Sequence, residues 1–128
     1  MLFKDSQVDF NSLIAKSADL TNKPFLHSVV KTNGEFEIDN DDIDLTVNIL
    51  CRDIDGKRLD IYDLELELFR SNRELVLVIS KLKFPDEPML WSGVKTIWMN
   101  SNNGKICSPP RYSLRLENLA TRIRNFIT

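Results

Sequence analysis

The chain has 128 residues, of which 42% are hydrophobic and 28% charged, with 17 Lys and Arg against 19 Asp and Glu for a formal net charge of −2. That length suits one domain, because two separate cores would each be too small to bury enough surface. The apolar share excludes a disordered chain, and four Gly with five Pro exclude a fibrous or low-complexity one.

In chain order, residues 6 to 20 predict a helix. Phe10, Leu13, Ile14 and Ala18 recur at helical spacing, and Asp5 or Ser6 can accept the first free amide protons. Asn22-Lys-Pro24 ends it. From Phe25 the period changes to two, and turn signals follow at Asn33-Gly34, Asp55-Gly56, Ser71-Asn72, Pro85-Asp-Glu-Pro88 and Asn102-Asn-Gly104. Between them lie predicted strands at 25–31, 35–38, 43–52, 57–69, 74–84 and 89–99. Ile43, Leu45, Val47, Ile49 and Cys51 alternate with Asp44, Thr46, Asn48 and Arg52, the pattern of a half-buried strand. Short connections make neighbouring strands antiparallel, hence a meander. Ser108-Pro-Pro110 closes the last strand, and Leu116, Leu119, Ala120, Ile123, Phe126 and Ile127 form an apolar stripe on a second helix, 112 to 127. The predicted fold class is α+β: an N-terminal helix, an antiparallel meander of five to six strands and a C-terminal amphipathic helix, in a single domain over 1–128.

The near-neutral total is a cancellation. Residues 35–67 hold twelve acids against Arg52, Lys57 and Arg58, which is −9, whereas 68–110 and 111–128 each carry +3. A polarised surface is something a partner could read, although solvated faces and internal ion pairs give the same counts. At a sequence pI of about 5.4, binding that rests on phosphate neutralisation is not expected, so no nucleic-acid partner is predicted.

Two irregularities stand out. Over 57–69, Leu59 and Ile61 share one parity while Leu64, Leu66 and Leu68 share the other, and a regular strand cannot place both sets on one face. Either a bulge near Tyr62-Asp63 or a bend between two strands absorbs the slip, or Asp60 and Tyr62 lie on the core side as the polar floor of a ligand pocket. In the latter case desolvation would poise Asp60 as a base. The second irregularity is Leu75-Val-Leu-Val-Ile79, apolar on both faces, which predicts cover on both sides by helices or by a partner subunit. Phe69, Val76, Val78, Trp91, Trp98 and Met99 are the interface candidates of that region.

Motifs that carry chemistry are mostly missing. Cys51 and Cys107 with the lone His27 cannot complete a four-ligand zinc site, and two widely spaced cysteines fit reduced thiols. Asp39-Asn-Asp-Asp-Ile-Asp44 resembles a calcium loop in composition only, since Ile43 and Leu50 stand where ligands are needed. Gly104-Lys105 lacks the upstream glycine of a phosphate loop, and Ser92-Gly93 lacks the first glycine of a nucleophile elbow. A nucleophilic cysteine would have only His27 as base, and that His fits an exposed or locally hydrogen-bonded role better than a catalytic one. No cofactor and no metal are predicted. Charge arrives by Lys4 and the longest apolar run has five residues, so neither a leader nor a membrane span is expected, and the compartment predicted is the cytoplasm.

The tail Trp91…Ile97-Trp-Met99…Ser108-Pro-Pro110, with the amphipathic helix that follows, resembles small cyanobacterial domains of unknown function. The helix-then-meander order is similar to cystatin-like folds, in which a helix lies across a curved antiparallel sheet. The Gln-x-Val-x-Gly loop of the inhibitors in that group is absent, so the resemblance implies a fold and not protease inhibition. The function expected is a non-enzymatic protein-binding or adaptor domain, with a homo-oligomer or other protein partner on a sheet face. The alternative is a small-molecule pocket between sheet and helix, with acid–base chemistry at Asp60 and Tyr62.

Overall fold

Phe10, Ile14 and Ala18 fall on one side of a helix, and all three are buried in α1, Phe10–Thr21. The computed structural model that shows this describes residues 10–35 and 44–127. The helix ends where side chains turn back on it. Thr21 Oγ1 donates to the Ser17 carbonyl at 2.9 Å, and Asn22 Nδ2 donates to the Ala18 carbonyl at 3.4 Å. The capping candidates Asp5 and Ser6, positions 36–38 of the second predicted strand and residues 39–43 of the calcium-like run lie outside the described residues.

Six strands follow: β1 Leu26–Glu35, β2 Asp44–Arg52, β3 Leu64–Ser71, β4 Glu74–Lys81, β5 Met89–Ser92 and β6 Thr96–Met99. Each pairs antiparallel with the next, in chain order. Helix α2, Ser113–Ile127, closes the chain, so the α+β helix, meander, helix order holds. Among the described residues no helix is long and apolar enough to cross a membrane.

Two turn signals read differently in space. Asn33-Gly34 is no hairpin turn: β1 runs through it, and the register slips between Lys31 and Asn33. This bulge presses the chain against β2. Gly34 has φ +81, and a Cβ there would lie 1.8 Å from the Asp44 carbonyl oxygen, so only glycine fits. The predicted strand 89–99 is two strands, because the chain reverses at Gly93, whose N–H donates to the Lys95 carbonyl at 3.1 Å. By contrast, Asn72 and Arg73, with φ of 53 and 67, form the tight two-residue turn expected near Ser71-Asn72.

Alternation decides which side chains enter the core. Leu45, Val47 and Ile49 of β2, Leu64, Leu66 and Leu68 of β3, and Leu75, Leu77 and Ile79 of β4 join Ile14 of α1 and Leu119 and Ile123 of α2 in one buried cluster. Each such side chain contributes about 1.5–3 kcal/mol on burial, well above a surface ion pair at about 0–1 kcal/mol, so apolar packing governs the arrangement. Both helices share that cluster, hence both lie on the same sheet face. Two polar tethers orient α2. Trp98 Nε1 donates to Glu117 at 2.8 Å, and the Arg124 guanidinium donates to the Leu75 carbonyl at 2.9 Å and to the Ser92 carbonyl.

Among the described residues the doubly apolar β4 therefore has helices on one side only. Val76 and Val78 point the other way and are still buried. Their cross-strand neighbours are Phe69 and Trp91, whose rings meet edge to face at 5.7 Å. Substituting Gly34→Ala is expected to destabilise the fold by at least about 2 kcal/mol through strain at positive φ and the clash with Asp44. Chemical denaturation measures this, and a neutral result would mean that β1 does not press on β2 there.

Candidate ligand-binding cleft

The site starts from a buried charge. Asp63 is 1% exposed, directly before β3, and its carboxylate is fully engaged. Oδ1 accepts the Cys51 N–H at 2.8 Å and Arg58 Nη1 at 2.9 Å, while Oδ2 accepts Arg58 Nη2 at 2.6 Å. Arg58 Nη1 also reaches the Cys51 carbonyl at 2.7 Å. Burial alone would raise this carboxyl, but the Arg58 hydrogen bonds, the Cys51 N–H and the guanidinium charge outweigh it and hold Asp63 below the usual carboxylate value. The backbone joins in, because Leu82 N–H donates to the Asp63 carbonyl at 3.0 Å. One residue thus ties the end of β2, the start of β3 and the end of β4 together.

This arrangement resolves the parity conflict. Residues 57–69 are not one strand: a single 3-10 turn, Asp60–Tyr62, interrupts them before β3 begins. The chain bends, so Leu64, Leu66 and Leu68 enter the core without bringing Asp60 or Tyr62 along. Asp60 is exposed and faces Lys83 at 3.9 Å, away from any enclosed floor. Tyr62, 47% exposed, stacks on Phe25 with ring centroids 5.2 Å apart and an interplanar angle of 20°.

Tyr62 forms one wall of a cleft of about 400 Å³ at the end of the sheet where β1 and β3 start and β2 and β4 finish. Phe25, Leu64 and Leu116 add apolar surface, His27 and Cys51 lie on adjacent strands, Arg111 and Tyr112 come from the turn before α2, and Arg115 comes from its first turn. The aromatic wall on that side is held from behind. Lys81 Nζ sits 3.8 Å from the centre of the Tyr112 ring and pairs with Glu87 at 3.3 Å. Burial, followed by the nearby Glu87 charge, pushes the Tyr112 phenol up to about 12, so it stays protonated at neutral pH.

His27 is locally hydrogen-bonded, as expected of a lone histidine. Its side chain is 4% exposed, and Nδ1 meets Asp19 Oδ1 at 2.9 Å. It is also the register partner of Cys51, so Asp19, His27 and Cys51 supply the residue types of a thiol triad. The thiol argues against that chemistry. Burial first, then the Asp63 charge, pushes Cys51 up to about 11, and a protonated buried thiol is a poor nucleophile. Cys51 and Cys107 are both free.

The interface candidates divide between the two faces. Phe69, Val76, Val78, Trp91 and Met99 share the outer face by register, but Trp98 pairs with the buried Leu90 and is 3% exposed on the helix side. Trp98 is core, because it pairs with the inward-facing Leu90 across the hairpin at Gly93. Asp63 and Arg58 were not singled out by sequence reasoning. An Asp beside a run of alternating leucines carries no mark of burial.

The fold and cleft define an α+β domain with a cavity at one end of a six-stranded antiparallel sheet. A family model matches residues 11–126, and the chain belongs to that family, described as Domain of unknown function (DUF8659). No curated protein and no solved structure matches the chain.

Two measurements check the site. Asp63→Asn keeps the shape and removes the charge. Because Arg58 is 38% exposed, the cost is expected below that of a fully buried pair, at about 2–3 kcal/mol. A carboxyl held below its unfolded value stabilises the fold above that value and loses the effect as pH falls through the folded one. The gap between parent and variant should therefore narrow as pH drops below about 4. A gap independent of pH would show that the charge of Asp63 is not what stabilises. Separately, a thiol-reactive chromophore at pH 8 should label Cys107 quickly and Cys51 only after unfolding. Equal rates in the native protein would contradict a buried, protonated Cys51.

Proposed function

We propose that the protein is a non-enzymatic binding domain that takes a small organic molecule into the cleft at the end of the sheet. The observation that carries this reading is the cavity itself: about 400 Å³, with Phe25, Tyr62, Leu64, Leu114 and Leu116 as apolar walls and Asn22, His27 and the arginines as a few converging polar groups. Small-ligand clefts run roughly 300–1,000 Å³ with that kind of lining. Asp60 is outside it, so acid–base work by an Asp60 and Tyr62 pair finds no support, and the protonated Cys51 offers no nucleophile.

A second reading is favoured by a separate observation. The outer sheet face carries Phe69, Trp91 and Met99, all half-buried, beside Asp44, Glu65 and Glu67. Glu67 sits above the usual carboxylate value because of burial and then its neighbours Glu65 and Asp44. Such a face suits a protein partner or a second copy, as an adaptor would use.

A fragment screen followed by amide chemical shifts separates the two. Binders should shift His27, Cys51, Tyr62 and residues 111–116, Tyr62→Ala should weaken them about tenfold through loss of the stacked wall, and Asp60→Asn should change nothing. Shifts confined to Phe69, Trp91 and their neighbours would move the function to the outer face.

A further inference from the structure

We propose that the molecule held in the cleft is a small amphipathic anion: a carboxylate, sulfonate or phosphate ester on a flat apolar body. This rests on the cleft reading above and adds its chemistry. The residues lining the cleft include Lys81, Arg111 and Arg115 and no Asp or Glu, although acids outnumber bases in the whole chain. Lys81 is already engaged by Glu87 and the Tyr112 ring. Arg111 and Arg115 are exposed at the mouth, four residues apart, and neither has a carboxylate partner among the described residues.

Arg115 also stands in the first turn of α2, which contains no acidic residue. A cation there faces the positive end of the helix dipole, and an anion at the mouth relieves both. Two guanidinium groups present forked donors suited to carboxylate, sulfonate or phosphate oxygens. Behind them the stacked Phe25 and Tyr62 rings, Leu64 and Leu116 accept a planar apolar body. Deeper still, the buried His27 ring has its Nδ1 on Asp19, which leaves Nε2 for a polar group of the ligand. Charge is thus placed at the entrance and apolar surface within, the order an amphipathic anion needs.

Two fluorescent probes with the same ring system test this on the full chain: 8-anilinonaphthalene-1-sulfonate and the neutral N-phenyl-1-naphthylamine. The sulfonate should bind at least about tenfold tighter at low salt, weaken as salt is added, and shift the amides of Tyr62 and residues 111–116. Arg111→Gln with Arg115→Gln should abolish that tenfold advantage and leave the neutral probe within about twofold. Both arginines are exposed, so circular dichroism should show the fold retained, and either single substitution should give an intermediate loss. Equal affinity for the two probes, or a sulfonate affinity untouched by the double substitution, overturns the anionic class and leaves the cleft reading standing. Binding by neither probe, or shifts only around Phe69 and Trp91, overturns the cleft reading as well.

Discussion

The buried carboxylate of Asp63 is the constraint on which the cleft end of the molecule depends. A charge this deep is tolerated only when every oxygen is satisfied, and here the Cys51 N–H and the Arg58 fork do so. Satisfying it forces geometry on three strands. The excursion from Asp53 to Tyr62 must fold back so that Arg58 reaches Asp63, and that return creates the turn that presents Tyr62. The same residue, through its carbonyl, fixes the exit of β4 near Lys81. Walls of the cleft contributed by Cys51, Tyr62, Leu64 and Lys81 therefore share one polar anchor. The buried ion pair matters less for total stability than for register, a role well suited to a polar group at the rim of an apolar core.

The second constraint is that both described helices lie on one side of the sheet. Both helices draw on the same cluster of leucines, isoleucines and alanines, so their packing settles which strand residues face inward. β4 is the informative case. Its inward set meets the helices, while Val76 and Val78 rely on Phe69 and Trp91 for shelter. Among the described residues, β4 is thus apolar on both faces with helices on one face and large neighbouring side chains on the other. The helices also converge at the cleft: Asn22 directly follows α1, and Arg111 and Tyr112 directly precede α2, so the cavity is bounded by one end of each helix.

Much of this architecture was legible because it follows from periodicity. The alternation from Leu45 to Cys51 and the stripe from Leu116 to Ile123 translate directly into burial. What failed to read were positions where a local signal has two meanings. Asn33-Gly34 has the chemistry of a hairpin turn and equally of a bulge, and only the close approach of Asp44 distinguishes them. Gly93 reverses the chain inside an apolar run, so the one strand expected over 89–99 is two. The parity slip over 57–69 was visible, yet it supported three resolutions, of which the bend is the one formed. Tyr62 reached the cleft by that bend rather than by strand alternation. Asp63 was invisible because burial of an acid is decided by a partner, Arg58, that lies across a loop rather than along a strand.

The charge imbalance acquires a physical location through the fold. The acidic stretch supplies Asp44, Glu65 and Glu67 to the outer sheet face, where burial and mutual repulsion raise Glu67. The basic C-terminal stretch supplies Arg111 and Arg115 to the cleft mouth on the opposite, helix-bearing side. Because exposed charges are screened within about 10 Å, each group acts locally and the net charge of the chain describes neither. Polarity of this kind would orient ligands by sign: an anion approaching the sheet face would be repelled, and one approaching the start of α2 would meet two guanidinium groups with no carboxylate partner among the described residues, above an apolar wall. The same separation keeps Asp44, Glu65 and Glu67 from competing for those guanidinium groups.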